Sequence, residues 1–175
     1  MLLFSITGFT LNHAGQIESQ PKVAIQTAVV SPNVLRDLQA AAGTDTLPAS
    51  FQAWLDRSWR IDVPEGVAEW SPEELYVPLP RPGGDAWLRV DLASGEAEYE
   101  VTDRGWISYL NDLHKGRNSG LAWSWFIDFF AAMCLLFSIT GLLILKFHAV
   151  NRPLTWPMVG LGIVVPALLV LLFVH

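Results

Sequence analysis

Apolar residues run almost unbroken through two long stretches near the C-terminus, while the middle of the chain shows short, broken periods. From Ser119 to Phe147 only Asp128 and Lys146 carry charge, and the stretch exceeds the roughly 20 residues a helix needs to cross about 30 Å of hydrocarbon. From Leu154 to His175 no side chain is formally charged at neutral pH. Both stretches predict membrane-spanning helices, the second carrying Pro157 and Pro166, which membrane helices tolerate as kinks. A third apolar run begins at Met1 and stops at Leu11, before Asn12 and His13. It amounts to about 16 Å of helix, half a bilayer. No basic region precedes it and no small-x-small site follows Leu11, so it does not read as a signal peptide. The pattern predicts the truncated end of a first transmembrane helix whose start lies ahead of Met1.

A repeat supports that reading. Leu2-Leu3-Phe4-Ser5-Ile6-Thr7-Gly8 recurs identically as Leu135-Leu136-Phe137-Ser138-Ile139-Thr140-Gly141. Two helices carrying these copies and crossing the bilayer in opposite directions would form an antiparallel pair, with small Ser, Thr and Gly faces for close packing.

The middle of the chain predicts a small α+β module. Ser31-Pro32 is a helix start, Val34, Leu35, Leu38 and Ala42 keep one face, and Gly43 stops the helix. A second helix is expected from Pro48 to Trp59. Strands follow over Glu74 to Leu79, Ala86 to Leu92 and Glu96 to Thr102, joined by Pro80-Arg81-Pro82-Gly83-Gly84-Asp85 and Ala93-Ser94-Gly95. Trp106 to Leu113 form an amphipathic approach to the membrane. Of the tryptophans Trp54, Trp59, Trp70, Trp87 and Trp106, most are expected in the core and Trp106 beside the bilayer. The organisation is then residues 1–13 as the end of a first membrane helix, 14–113 as the extramembrane domain, 114–148 as the second helix with its flanks, 149–153 as a loop and 154–175 as the third helix. The fold class is membrane α-helical with an extracytoplasmic α+β domain and about three transmembrane helices.

Charge sets the orientation. The short loop between the last two helices carries Lys146, His148 and Arg152 with no acid, whereas residues 14–118 hold nine Lys/Arg against sixteen Asp/Glu, a balance of −7. The basic loop stays in the cytoplasm. The acidic domain is expected outside, in the periplasm of a bacterium with its inner membrane as the host bilayer, and His175 emerges on that side too. The negative balance argues against nucleic acid as a partner. Cys134 is the single cysteine and falls mid-membrane, so no intramolecular disulfide is available. The domain between His13 and His114 has no His, no Cys and no glycine-rich phosphate loop, so a hydrolase or nucleotide-binding role lacks parts and no catalytic residue is assigned.

The four histidines sit at the ends of the apolar segments. His13 closes the first, His114 precedes the long one, His148 follows its inner end and His175 closes the chain. By the topology above, His13 and His114 lie at the same outer face, and two imidazoles across a helix pair are how a six-coordinate haem b is held. These two are the candidate metal ligands. Zinc is the weaker alternative, since it wants three or four ligands. His148 would hold a second haem only with a partner from elsewhere. Lys115 and Arg117 suit haem propionates or lipid phosphates alike. Asp128 is costly in hydrocarbon, so it is expected to face another helix or a wet cleft. It follows His114 by fourteen residues, within about 40° if one helix carries both. A proton relay and a structural pairing with an indole or another subunit's cation remain equal readings of it.

These residues resemble a known family. Thr7-Gly8-Phe9-Thr10-Leu11-Asn12-His13 is similar to the end of the first helix in PepSY-associated transmembrane proteins. Leu113-His114-Lys115-Gly116-Arg117, continuing through Trp123-Ser124-Trp125-Phe126-Ile127-Asp128 to Thr140-Gly141-Leu142, resembles their second. Val90-Asp91-Leu92-Ala93-Ser94-Gly95-Glu96 resembles the strand-turn-strand ending V-D-x-x-T-G-E of a PepSY module, with Ser94 in place of threonine. The resemblance implies a short relative of PepSY-type inner-membrane reductases, some of which bind haem through membrane histidines and pass electrons outward to ferric siderophores. It carries over His13 and His114 as outer ligands and His148 less directly. Two departures stand out. The histidine-containing start of the first helix is absent, and three spans are fewer than the best-known reductases have. They leave a single haem, a dimeric assembly or no haem open.

The leading expectation is therefore a haem b electron-transfer component, possessing lipid as its medium and a periplasmic acceptor such as a ferric chelate, a ferric siderophore or flavin. A non-catalytic anchor whose outer domain binds a partner protein, an accessory subunit of a larger membrane complex and a homo-oligomer are the competing expectations.

Overall fold

The computed structural model describes residues 2–17, 20–148 and 152–174. The chain forms two compact units, Met1–Ser124 and Trp125–His175. The first begins with α1 (Leu2–Asn12), followed by β1 (Lys22–Val29), α2 (Pro32–Ala40) and α3 (Ala49–Trp59). It continues through β2 (Glu69–Trp70), β3 (Glu74–Pro78), β4 (Gly84–Asp91), β5 (Glu96–Asp103) and α4 (Trp106–Lys115). Helix α5 (Gly120–His148) starts in the first unit and makes up most of the second, with α6 (Thr155–Phe173).

The sheet is antiparallel throughout, in the order β1-β5-β4-β3-β2. The expected three-strand meander is β3-β4-β5, extended by short β2 at one edge and β1 at the other. The alternation of Leu88 and Val90 with Trp87, Arg89 and Asp91 sends one face of β4 into the core. Leu75, Val77, Leu88 and Val90 pack there with Leu38 of α2 and with Phe51 and Leu55 of α3, all fully buried. Helix α2 starts at Ser31-Pro32 as expected, although the Ser31 side chain makes no cap bond, and it ends at Ala40, short of Gly43. Trp54, Trp59 and Trp70 pack against the core, Trp87 stacks on Tyr76 at 6.2 Å on the opposite sheet face, and Trp106 is 69 % exposed.

Residues 114–148 are not one helical segment. Helix α4 ends at Gly116, whose φ of 68° is left-handed; Asn118 at 54° and Gly120 at 80° keep the chain turning before α5 begins. His114 and Asp128 therefore occupy different helices, and the phase relation expected from a continuous helix does not apply. Helix α5, of 29 residues, and α6, of 19, are long and apolar enough to cross a membrane, and none of their residues is buried by protein. Such a surface of Leu, Ile, Val and Phe calls for lipid around it. Residues 149–151 of the expected loop, and His175, lie outside the described residues.

The β4-β5 hairpin is closed by Asp91. Its Oδ1 accepts from Ala93 N at 2.9 Å, Ser94 N at 2.6 Å and Ser94 Oγ at 2.9 Å. The backbone N–H and then the hydroxyl of Ser94 hold this carboxyl below its ordinary value of 3.8. A depressed folded pKa means stability that is present above the unfolded pKa and lost as pH falls through the folded one. Acid titration of domain unfolding should show this loss below about pH 3.8. In Asp91→Asn the Asp91 component of the acid slope should be absent, a difference read by tryptophan fluorescence at a series of pH values.

Candidate functional site

The junction between sheet and membrane-side helices is built on α4. The turn before β4 reaches it: Gly83 N donates to Asp112 Oδ2 at 2.9 Å, and Arg104 N donates to Gly83 O at 2.9 Å. Gly83 has a φ of +76°, and a Cβ on it would lie 2.7 Å from Tyr109 Cα. Only a bare backbone fits under that turn of α4.

Helix α1 lies on α4. Thr7 meets His114 and Thr10 meets Asn111, so numbers rise on one helix as they fall on the other and the pair is antiparallel. Thr10 Oγ1 donates to Asn111 Oδ1 at 2.9 Å, and Thr7 Oγ1 lies 2.7 Å from His114 Nδ1. Thr7 and Asn111 are buried at this seam. The Thr7 hydroxyl proton already points to Leu3 O at 2.9 Å, with Phe4 O at 3.2 Å. With the Thr7 proton on Leu3 O, the Thr7 oxygen accepts from His114 Nδ1–H, the tautomer that leaves the lone pair on Nε2.

The other two described histidines share this tautomer for a simpler reason. His13 Nδ1 faces Phe9 O at 3.0 Å and His148 Nδ1 faces Ile144 O at 3.0 Å, and a carbonyl only accepts. An anchored Nδ1–H with Nε2 open is the orientation of a metal-binding imidazole. The donor chemistry of His13 and His148 suits an iron on one side.

His13 and His114, the expected ligand pair, have different surroundings. His114 is packed against Phe4, with ring centroids 5.3 Å apart, and against Gly8, where a Cβ would lie 3.5 Å from Cε1 and 3.9 Å from Nε2. His13 packs its ring against Phe9, with centroids 4.4 Å apart, six residues and about 9 Å of helix beyond Thr7. Beside His114 the space among Leu3, Phe4, Leu110, Leu113 and Trp123 is about 20 Å³, enough for a water and not for a porphyrin. Trp123 closes it by donating Nε1–H to Leu113 O at 2.8 Å. His114 is held at the α1-α4 seam, and His13 lies beyond that contact on α1.

Lys115 and Arg117 are exposed at the end of α4. Asp128 is exposed on α5 and His148 is exposed at its far end; both belong to the second unit. Sequence reading missed Thr10, Asn111, Asp112 and Gly83, and it assigned Thr7 to a different helix pairing. The repeat was the available signal. Thr140 bonds back to Leu136 O at 2.9 Å and Phe137 O at 3.1 Å, as Thr7 does in the first copy.

Compared with known proteins, residues 1–175 match the model of the PepSY_TM-like family, the whole chain. No curated protein and no solved structure matches it.

Two substitutions test the seam. Thr7→Val keeps the shape but leaves His114 Nδ1–H without its acceptor, and should cost about 1–3 kcal/mol in unfolding of the detergent-solubilised protein, whereas Thr7→Ser should keep most of it. Gly83→Ala drives a methyl into α4 at a left-handed position and should cost about 1–3 kcal/mol, read from the same thermal unfolding.

Proposed function

The chain belongs to the PepSY_TM-like family, and on that premise we propose that it is a non-catalytic membrane anchor whose extracytoplasmic PepSY-like domain binds a partner protein, as an accessory subunit does. The observation that carries this is the seam. The β3-β4 turn is bonded to α4 through Asp112, and α4 to α1 through Asn111 and His114, so a folded domain is fixed to an apolar helix rather than tethered by a loop. Rigid presentation lowers the cost of binding, because fewer degrees of freedom remain to be lost. The basic residues Lys146 and Arg152 on the α5-α6 connection support a cytoplasmic position for that loop and a periplasmic one for the domain. An inner membrane is the bilayer consistent with that arrangement.

A second reading keeps haem b, an electron-transfer role and a periplasmic acceptor such as a ferric chelate or flavin. It is favoured by one observation, the open Nε2 of His13 and of His148. Held by His13 or His148, haem would supply one-electron chemistry.

Cross-linking from exposed domain positions in native membranes should give a discrete adduct that survives His13→Ala and His148→Ala. The reduced-minus-oxidised absorption spectrum of the detergent-purified protein should be flat. A low-spin b-type spectrum lost in His13→Ala, with no adduct, would overturn the anchor reading in favour of electron transfer.

A further inference from the structure

The two edges of the sheet are unlike. At one end β2 is two residues long. At the other, β1 pairs with β5 in unbroken register from Lys22↔Asp103 to Val29↔Glu96, eight residues with no proline and no charge after Lys22. Long edge strands are normally blunted by charge, proline or a bulge, because their outward N–H and C=O groups template another strand. Nothing of that kind protects β1 beyond its first residue, and among the described residues it pairs with β5 alone.

The register also fixes what flanks the edge. Paired residues share a sheet face, so Val23, Ile25, Thr27 and Val29 stand on the same side as Thr102, Glu100, Glu98 and Glu96. Ala97 and Tyr99 point to the helix side with the core, so this is the helix-free face. Val23, Ile25 and Val29 are 54 %, 55 % and 68 % exposed. Behind this apolar stripe the carboxylates of β5 form a column, and Glu74 and Asp91 add to it across a shallow groove of about 460 Å³. The groove's one arginine, Arg89, is already shared between Glu98 at 3.2 Å and Glu74 at 3.9 Å. Among the described residues Glu96 and Glu100 have no ion pair.

Resting on the partner-binding reading above, we propose that β1 accepts an extended, Lys- or Arg-bearing segment of the partner as a sixth strand. Strand spacing puts such a segment about 9.6 Å from β5. Long basic side chains span that gap, laying their aliphatic stems over Ile25 and Val29 and their charges beside Glu100 and Glu96, which face those two positions. A second copy is disfavoured as occupant, since its own carboxylate column would face this one.

The test uses the full chain in nanodiscs and two labelled peptides, one alternating Lys and Val, the other alternating Glu and Val. The Lys peptide should bind and slow amide exchange across residues 22–29. Its affinity should fall at least about tenfold in Ile25→Lys and in the double variant Glu96→Gln/Glu100→Gln, and the Glu peptide should not bind. Both sets of positions are outside the core, and circular dichroism confirms that the variants fold. Binding without slowed exchange in β1, or binding unchanged in Ile25→Lys, would overturn the proposal. So would protection of β1 that appears with protein concentration and no peptide, which marks a second copy. Failure of the peptide with the cross-linked adduct still present refutes the edge and leaves the anchor reading standing. Peptide binding with no adduct refutes the anchor reading and leaves the edge.

Discussion

Helix α4 has to satisfy two neighbours at once, and the bond from Gly83 N–H to Asp112 Oδ2 is where the sheet claims its share of it. A side chain at position 83 would collide with the helix backbone at Tyr109, so the approach depends on glycine at a left-handed turn. On the other side of the same helix, Asn111 and His114 hold α1. Two successive polar residues and one three positions after the first thereby face different partners: Asn111 and His114 toward α1, Asp112 toward the turn. Helical geometry separates Asn111 from Asp112 by about 100°, which is enough to serve both sides with one helix.

That division explains why His114 serves structure. An imidazole at a helix pair can bind metal only if its second nitrogen opens onto space. In this chain Gly8 lets the ring come close to α1, Phe4 covers it, and Trp123 closes the remaining void from the start of α5. The same Nδ1 anchoring that would orient a ligand here secures a helix contact. His13 carries the same Nδ1 anchoring, with its ring against Phe9.

Much of the architecture was legible because it follows from periodicity. The long apolar runs, the helix beginning at Pro32, the helix ending at Trp59 and the β3-β4-β5 meander each rest on local spacing. Strand β1 escaped notice because it buries almost nothing: Lys-Val-Ala-Ile-Gln-Thr-Ala-Val has no strong alternation of burial to advertise, and its order comes from pairing with β5. The break after His114 was written in Gly116, Asn118 and Gly120, yet an apolar run on one side and an amphipathic one on the other blended into a single helix when read by hydropathy. The site was less legible still. Histidine position along the chain marked the ends of the apolar segments, but which side chains meet depends on rotation and offset between helices, which spacing in one chain does not encode.

The sheet's two edges are guarded unequally. Strand β2 is too short to template another strand, while β1 carries no protection beyond Lys22. A stripe of Val and Ile exposed to water beside a column of glutamates would cost solubility if nothing covered it, while the glutamates repel further copies of the same acidic chain. The two features oppose each other unless the missing strand is basic. On the proposed reading such a strand would arrive along the outer edge of β1, on a domain that α4 fixes to α1, so a partner would be selected by the direction of that edge as well as by charge.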